Sequence, residues 1–269
     1  MRIRRMTILL VIVLLSIAGN GYAGTVDNFA TTVAASGDVL YQVSTLDALM
    51  QGVYDGETTL DDLLQQGDFG IGTFEALDGE MVVLDGVVYQ VLSSGKVVEA
   101  EKSMKTPFAM ITVFQEDIQA KVADIQAYEQ LKAVLDPLLP SANLFYALKI
   151  EGSFSYVKTR SVPTQAEPYP LLADVTSHQP TFEFEDVTGT VIGYWCPAYM
   201  EGINLPGYHL HFLSSDHIMG GHLLECTLIK GTVSIDTTQA LHMLLPENAH
   251  FAQVDMSGVS QEEKEDVEQ

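Results

Sequence analysis

The stretch Gly207-Tyr208-His209-Leu210-His211-Phe212-Leu213, followed after a short interval by Gly220-Gly221-His222, decides how this chain is read. On an extended backbone successive side chains alternate between faces, so His209 and His211 share one face while Leu210 and Phe212 point into packing. The intervening residues are polar and glycine-rich enough to reverse the chain, which returns His222 on a neighbouring strand beside the first pair. Three imidazoles with an open fourth position are the usual ligand set of a catalytic zinc ion. Alternate histidines alone are weak evidence, and it is the third histidine after a turn that points to metal.

Working outward, Thr181 to Val187, Thr190 to Trp195, Gly207 to Leu213, His222 to Ile229 and Thr232 to Ile235 all read as strands of a curved, mostly antiparallel sheet. In the first half helix and strand signals alternate. Val39 to Val43 is a strand, Thr45 caps a helix over Leu46 to Met50, and Thr58 caps another over Leu60 to Leu64. Val82-Val83-Leu84 and Val87-Val88-Tyr89 flank Asp85-Gly86, a two-residue hairpin signal. From Glu116 to Leu135, apolar residues at 118, 122, 125, 128, 131 and 135 recur at helical spacing and predict one helix, ended by Asp136-Pro137. Leu144 to Val157 is apolar and β-rich, and Pro163 to Pro180 reads as a linker or a long active-site loop. The expected fold class is α/β with α+β character, in two domains with mixed sheets. The expected organisation is a leader at 1–23, an N-terminal α/β domain at 24–160, and a β-rich metal-binding domain with a C-terminal tail at 161–269.

Arg2, Arg4 and Arg5 precede an apolar run from Ile8 to Leu15, and Gly21-Tyr22-Ala23 offers small residues at a cleavage site. This is the pattern of a secretory leader, shorter than the ~20 residues of a spanning helix. The mature product is therefore expected to be exported, periplasmic or secreted, with no membrane partner. Losing the three arginines moves the formal charge from −23 to −26. So acidic a chain lacks the basic patch that nucleic acid requires. Cys196 and Cys226 are the two cysteines, and their pairing is left open by sequence. The acidic terminus from Gln261 to Gln269 has the composition of a solvated tail.

With the leader removed, Arg160 is the one arginine of the chain, which argues for a specific partner rather than surface solubility. Its planar fork of donors binds a carboxylate at two points. A metal beside it would polarise substrate oxygens, a combination that suits either decarboxylation or hydrolysis.

The run from Gly189 through Trp195-Cys196-Pro197 and Gly202-Ile203-Asn204-Leu205-Pro206 to His211-Phe212, with Asp216 and Gly220-Gly221-His222, closely resembles the bacterial alpha-acetolactate decarboxylases. Gly67 to Phe74, Leu77-Asp78-Gly79-Glu80-Met81, Phe145 to Gly152 and Arg160-Ser161-Val162-Pro163 match in order. The resemblance implies a zinc-dependent, otherwise cofactor-free enzyme that converts (S)-2-acetolactate to (R)-acetoin and carbon dioxide, on a two-domain α/β fold that forms a homodimer. By motif, it places the Zn2+ ligands on His209, His211 and His222, and the catalytic groups on Arg160, Glu80 and Glu268. Two departures are visible: His217 stands where the family has arginine, and Cys196 where threonine is common. Trp195 and Tyr208 are expected as pocket walls, and His178, His242 and His250 as packing or surface residues. Two other readings of the same residues are a zinc hydrolase of a small ester or lactone, and a secreted metal- or sugar-binding β-domain without catalysis.

Overall fold

Residues 25–31, 39–257, 259 and 264 are described by the computed structural model. The expected leader and Glu268 lie outside them. In chain order the strands are β1 (Thr25–Thr31), β2 (Val39–Val43), β3 (Thr58–Thr59), β4 (Phe69–Thr73) and β5 (Glu80–Leu84). Next come β6 (Val87–Val91), β7 (Val97–Glu99), β8 (Lys105–Thr106), β9 (Ala109–Thr112) and β10 (Ile118–Ile125). The last are β11 (Phe145–Arg160), β12 (Thr181–Cys196), β13 (Gly207–Ser214), β14 (Gly220–Thr238) and β15 (Ala240–Leu244). Helices are short: α1 (Leu46–Met50), α2 (Leu60–Leu63), α3 (Tyr128–Leu135), α4 (Leu172–Thr176) and α5 (Ala249–Gln253). None of those described is long and apolar enough to cross a membrane.

One sheet runs β1-β10-β14-β11-β12-β13, and a further β13–β14 pairing closes β11, β12, β13 and β14 into a ring. The other runs β15-β2-β9-β4-β5-β6-β7. Each sheet draws strands from both sides of the 160/161 boundary expected from sequence. Strand β11 pairs with β12 from Tyr146↔Trp195 to Arg160↔Thr181, and β15 returns to lie parallel to β2. A buried apolar layer joins the sheets, with Phe69, Ile71 and Met110 from one meeting Ala147, Ile192 and Tyr194 from the other. The Tyr194 hydroxyl crosses that layer to donate to the Phe69 carbonyl at 2.8 Å.

The single helix expected at 116–135 is half strand. Ile118 and Val122 are four residues apart, a spacing that places two side chains on one face of a helix and equally on one face of a strand. Ala120 decides between them, because it is buried with Ile118 and Val122 while Gln119 and Lys121 are exposed. That is period two, and helix starts only at Tyr128. The breaks read near Gly189 and Gly231 are also absent: β12 and β14 run unbroken for 16 and 19 residues. Gly152 stands opposite both glycines, beside a register shift at Ser153/Phe154, so small residues let three strands coil without interruption.

Other local signals hold. Thr45 caps α1 by accepting from the Ala48 N–H. The cap of α2 is Thr59 rather than Thr58, since it is the Thr59 hydroxyl that accepts from the Asp62 N–H at the first turn. Asp85 and Gly86 turn between β5 and β6 with φ of 52° and 75°. The acidic terminus is not wholly solvated. Val259 packs on the apolar cluster of Leu46, Leu49 and Leu172, and the Lys264 ammonium, buried, lies 2.7 Å from Asp47 of α1. Cys196 and Cys226 are both buried free thiols.

Gly193 shows how tightly the ring is drawn. A Cβ there would lie 2.0 Å from the carbonyl oxygen of His209 on β13. Gly193→Ala is therefore expected to push β13 outward and to lower stability by about 2–3 kcal/mol, read as a drop in thermal midpoint. A midpoint equal to wild type would show that the two strands are free to separate.

Candidate metal centre and active site

Register assembles the site. In the β13–β14 ladder His211 stands opposite His222, and in the β14–β11 ladder His222 stands opposite Arg160. His209 is two residues before His211 and so on the same face. The three imidazole rings lie 5.2, 5.1 and 5.3 Å apart between centroids, for the 209/211, 209/222 and 211/222 pairs. One nitrogen from each falls within 4.8 Å of the others, and all three residues are buried.

The donors suit a divalent ion. His211 Nδ1 is 2.9 Å from the Met81 carbonyl, an acceptor only, so Nδ1 carries the proton and Nε2 keeps its lone pair. That Nε2 is buried and has no hydrogen-bond partner among the described residues. Burial first, and then the Arg160 charge, lowers His209 to about 3. Burial, followed by the nearby His209, holds His211 well below the ordinary histidine range. Both rings are thus neutral at ordinary pH, the form that binds metal.

Glu80 reaches the same place from the other sheet. It opens β5, opposite Thr73 and Val91, and the Thr73 hydroxyl pins the preceding turn by donating to the Gly79 carbonyl at 2.7 Å. Ala76 and Leu77, just before that turn, hold left-handed φ of 58° and 57°. Such strained backbone persists only where its surroundings fix it, and here it sets the start of β5. One Glu80 carboxylate oxygen lies 3.7 Å from His211 Nε2 and the other 3.9 Å from Arg160 Nη1. Arg160, at the end of β11, is 4% exposed; its Nη1 donates to the Gln179 side-chain oxygen at 2.8 Å. Its Nε has no hydrogen-bond partner among the described residues, which leaves donor capacity for an anion. Leu46, Leu49, Leu77, Phe108, Val162 and Leu172 wall a narrow cavity over these groups. The Pro163–Pro180 stretch thus borders the candidate site, with Leu172 of α4 lining the cavity.

The structure brings together His209, His211, His222, Arg160 and Glu80. It separates Tyr208 and Trp195 from them: Tyr208 donates to Asp136 at 2.7 Å and Trp195 packs on Tyr146, both beneath the other face of the ring. Alternation explains this, because Tyr208 shares its face with Leu210 and Phe212 rather than with His209. The His217 ring lies tilted against that of Tyr89, and its Nδ1 is 3.0 Å from the Tyr89 hydroxyl. His242 meets Tyr41 edge-on. The sequence reading missed Gln179 and the Met81 carbonyl. Gln179 was accessible in principle, since it lies two residues before the partner of Arg160 in the β11–β12 ladder. A backbone carbonyl leaves no sequence signal.

The family model described as alpha-acetolactate decarboxylase matches residues 40–258. The chain belongs to this family. A Methanosarcina mazei alpha-acetolactate decarboxylase is 44% identical over 93% of the chain and 87% of its own length. One from Bacillus subtilis is 40% identical over 79% and 83% respectively. The crystal structure of the enzyme from Bacillus subtilis strain 168 superposes with a TM-score of 0.83, at 37% identity, over 86% of this chain and 99% of that one. The α/β fold with α+β character expected from sequence is found as a mixed, strand-dominated α+β fold, the one shared with the solved alpha-acetolactate decarboxylase. Membership makes this chain an acetolactate decarboxylase in its enzyme class, acting on a small molecule.

Proposed function

We propose that this enzyme converts (S)-2-acetolactate to (R)-acetoin and carbon dioxide at a zinc ion held by His209, His211 and His222. The observation that carries the reading is the convergence of three buried imidazoles, His209, His211 and His222, beside a buried arginine whose Nε has no hydrogen-bond partner among the described residues. A divalent ion there supplies a Lewis acid that withdraws electron density from the substrate's hydroxyl and ketone oxygens.

The chain's own groups do the rest. Arg160 binds the substrate carboxylate and thereby orients the carbon–carbon bond that breaks. The apolar walls exclude water, so the electron pair left on carbon by departing carbon dioxide is not quenched at random. One proton must then be added to that carbon. In this reading Glu80, held between Arg160 and His211, is the acid: its protonated carboxyl gives its proton to one face of that carbon and is left as carboxylate, which would set the handedness of the product. Glu268, implied by family resemblance, is the other carboxylate of this reading. Export by the 1–23 leader and a homodimeric state belong to it as well, supported by the leader pattern and by that resemblance.

The test is direct. Purified protein given racemic acetolactate should release acetoin and carbon dioxide in equal amounts, consume one enantiomer, lose activity to a chelator, and recover it with Zn2+. Acid release without carbon dioxide would indicate a hydrolase instead, and activity indifferent to chelation would remove the metal.

A further inference from the structure

Arg160 is the one arginine outside the leader segment in a chain with 36 acidic residues, yet its hydrogen-bonding side-chain partner among the described residues is a neutral amide. Glu80 forms an ion pair with Nη1 at 3.9 Å, longer than a hydrogen bond, so the one hydrogen-bonded side chain on the fork among the described residues is the amide of Gln179. We propose that Gln179 is a positioning residue that fixes the Arg160 guanidinium without adding a second negative charge to that of Glu80, so that the guanidinium charge is kept for an incoming carboxylate. This inference rests on the reading of Arg160 as the carboxylate anchor.

The placement of Gln179 is built by backbone. Arg160 ends β11 opposite Thr181, the first residue of β12, so the loop between them leaves and returns beside the guanidinium. Ser161 N–H donates to the Pro180 carbonyl and Gln179 N–H to the Thr176 carbonyl, which locks both ends of that loop. The half-buried Gln179 side chain then meets Nη1 at 2.8 Å. A carboxylate at the same position would accept more strongly, at two points, and would cancel the charge. An amide oxygen accepts through its dipole alone, so it fixes the plane of the fork while Nε stays without a partner among the described residues. In so acidic a chain, a neutral acceptor at this position keeps a second carboxylate, beyond that of Glu80, from competing with the substrate for the guanidinium.

Two substitutions separate charge conservation from simple tethering. Q179E keeps size and acceptor but adds a negative charge, and is expected to raise KM for acetolactate on the order of 30-fold or more, because a desolvated like charge opposes the bound carboxylate. Q179M keeps size, removes the acceptor and adds no charge, and is expected to raise KM roughly three- to tenfold through loss of orientation. Metal content should match wild type in both. A residue that merely tied down the loop would give the opposite ranking, with Q179E close to wild type and Q179M worse, and that result overturns the proposal. Wild-type kinetics in Q179M would do the same, even if Q179E fails to fold. Arg160→Lys, assayed in parallel, distinguishes the two levels. If it leaves kcat and KM unchanged, the anchor reading itself falls; if it is impaired while the Gln179 ranking is reversed, only this inference falls.

Discussion

His211→Ala is expected to release the metal and to lower kcat/KM by at least about 100-fold, since even removing a group that merely orients a metal-binding histidine costs 10- to 100-fold. His211 is the most constrained of the three proposed ligands. It is fully buried, it stands opposite His222 in the β13–β14 ladder, and its ring is oriented by the Met81 carbonyl. Alanine leaves two histidines, too few for a closed coordination shell, and strands that carbonyl without its donor. The second effect costs stability, about 1–3 kcal/mol for an unsatisfied buried acceptor. Three measurements resolve the outcome: metal content by elemental analysis, acetoin formation, and the thermal midpoint. The expected pattern is a folded, somewhat less stable protein without metal or turnover. A metal-free variant that still forms acetoin would refute the ligand assignment.

The second large effect concerns charge rather than metal. Arg160→Lys should keep metal content and melting behaviour near wild type while kcat/KM falls by roughly 100- to 1000-fold, because an ammonium is a point charge that cannot grip a carboxylate at two points. The geometry sharpens the expectation. Arg160 Nη1 is already committed to Gln179, and the fork lies within 3.9 Å of Glu80. A lysine ammonium in the same place has no planar edge to present to the substrate. Retained turnover would remove Arg160 from the mechanism.

Much of this site is legible in the amino-acid sequence. Strand alternation places His209 and His211 on one face, and a glycine-rich reversal returns His222; both are local rules that need only a few neighbouring residues. The rarity of arginine singles out Arg160. The same alternation, applied to Tyr208, removes it from the pocket. Where sequence misleads, the local signal is degenerate. Ile118 and Val122 satisfy two periodicities at once, and the pairing of β10 with β1 and β14 fixes the extended one, burying Ala120 with them. Glycines at 189 and 231 read as breaks because sequence does not show that Gly152 faces both.

The amino-acid sequence by itself determined which side chains share a strand face, where the chain turns, and which residue types are available for metal and carboxylate. Those properties follow from backbone geometry over a few residues. The tertiary structure decided which strands are neighbours. It set Arg160 opposite His222, and brought Glu80 from the second sheet to within 4 Å of His211. It also swung Gln179 back onto the guanidinium. Such contacts join residues far apart in the chain through ladder register and sheet packing, which are settled by the burial of the whole core and not by any local stretch.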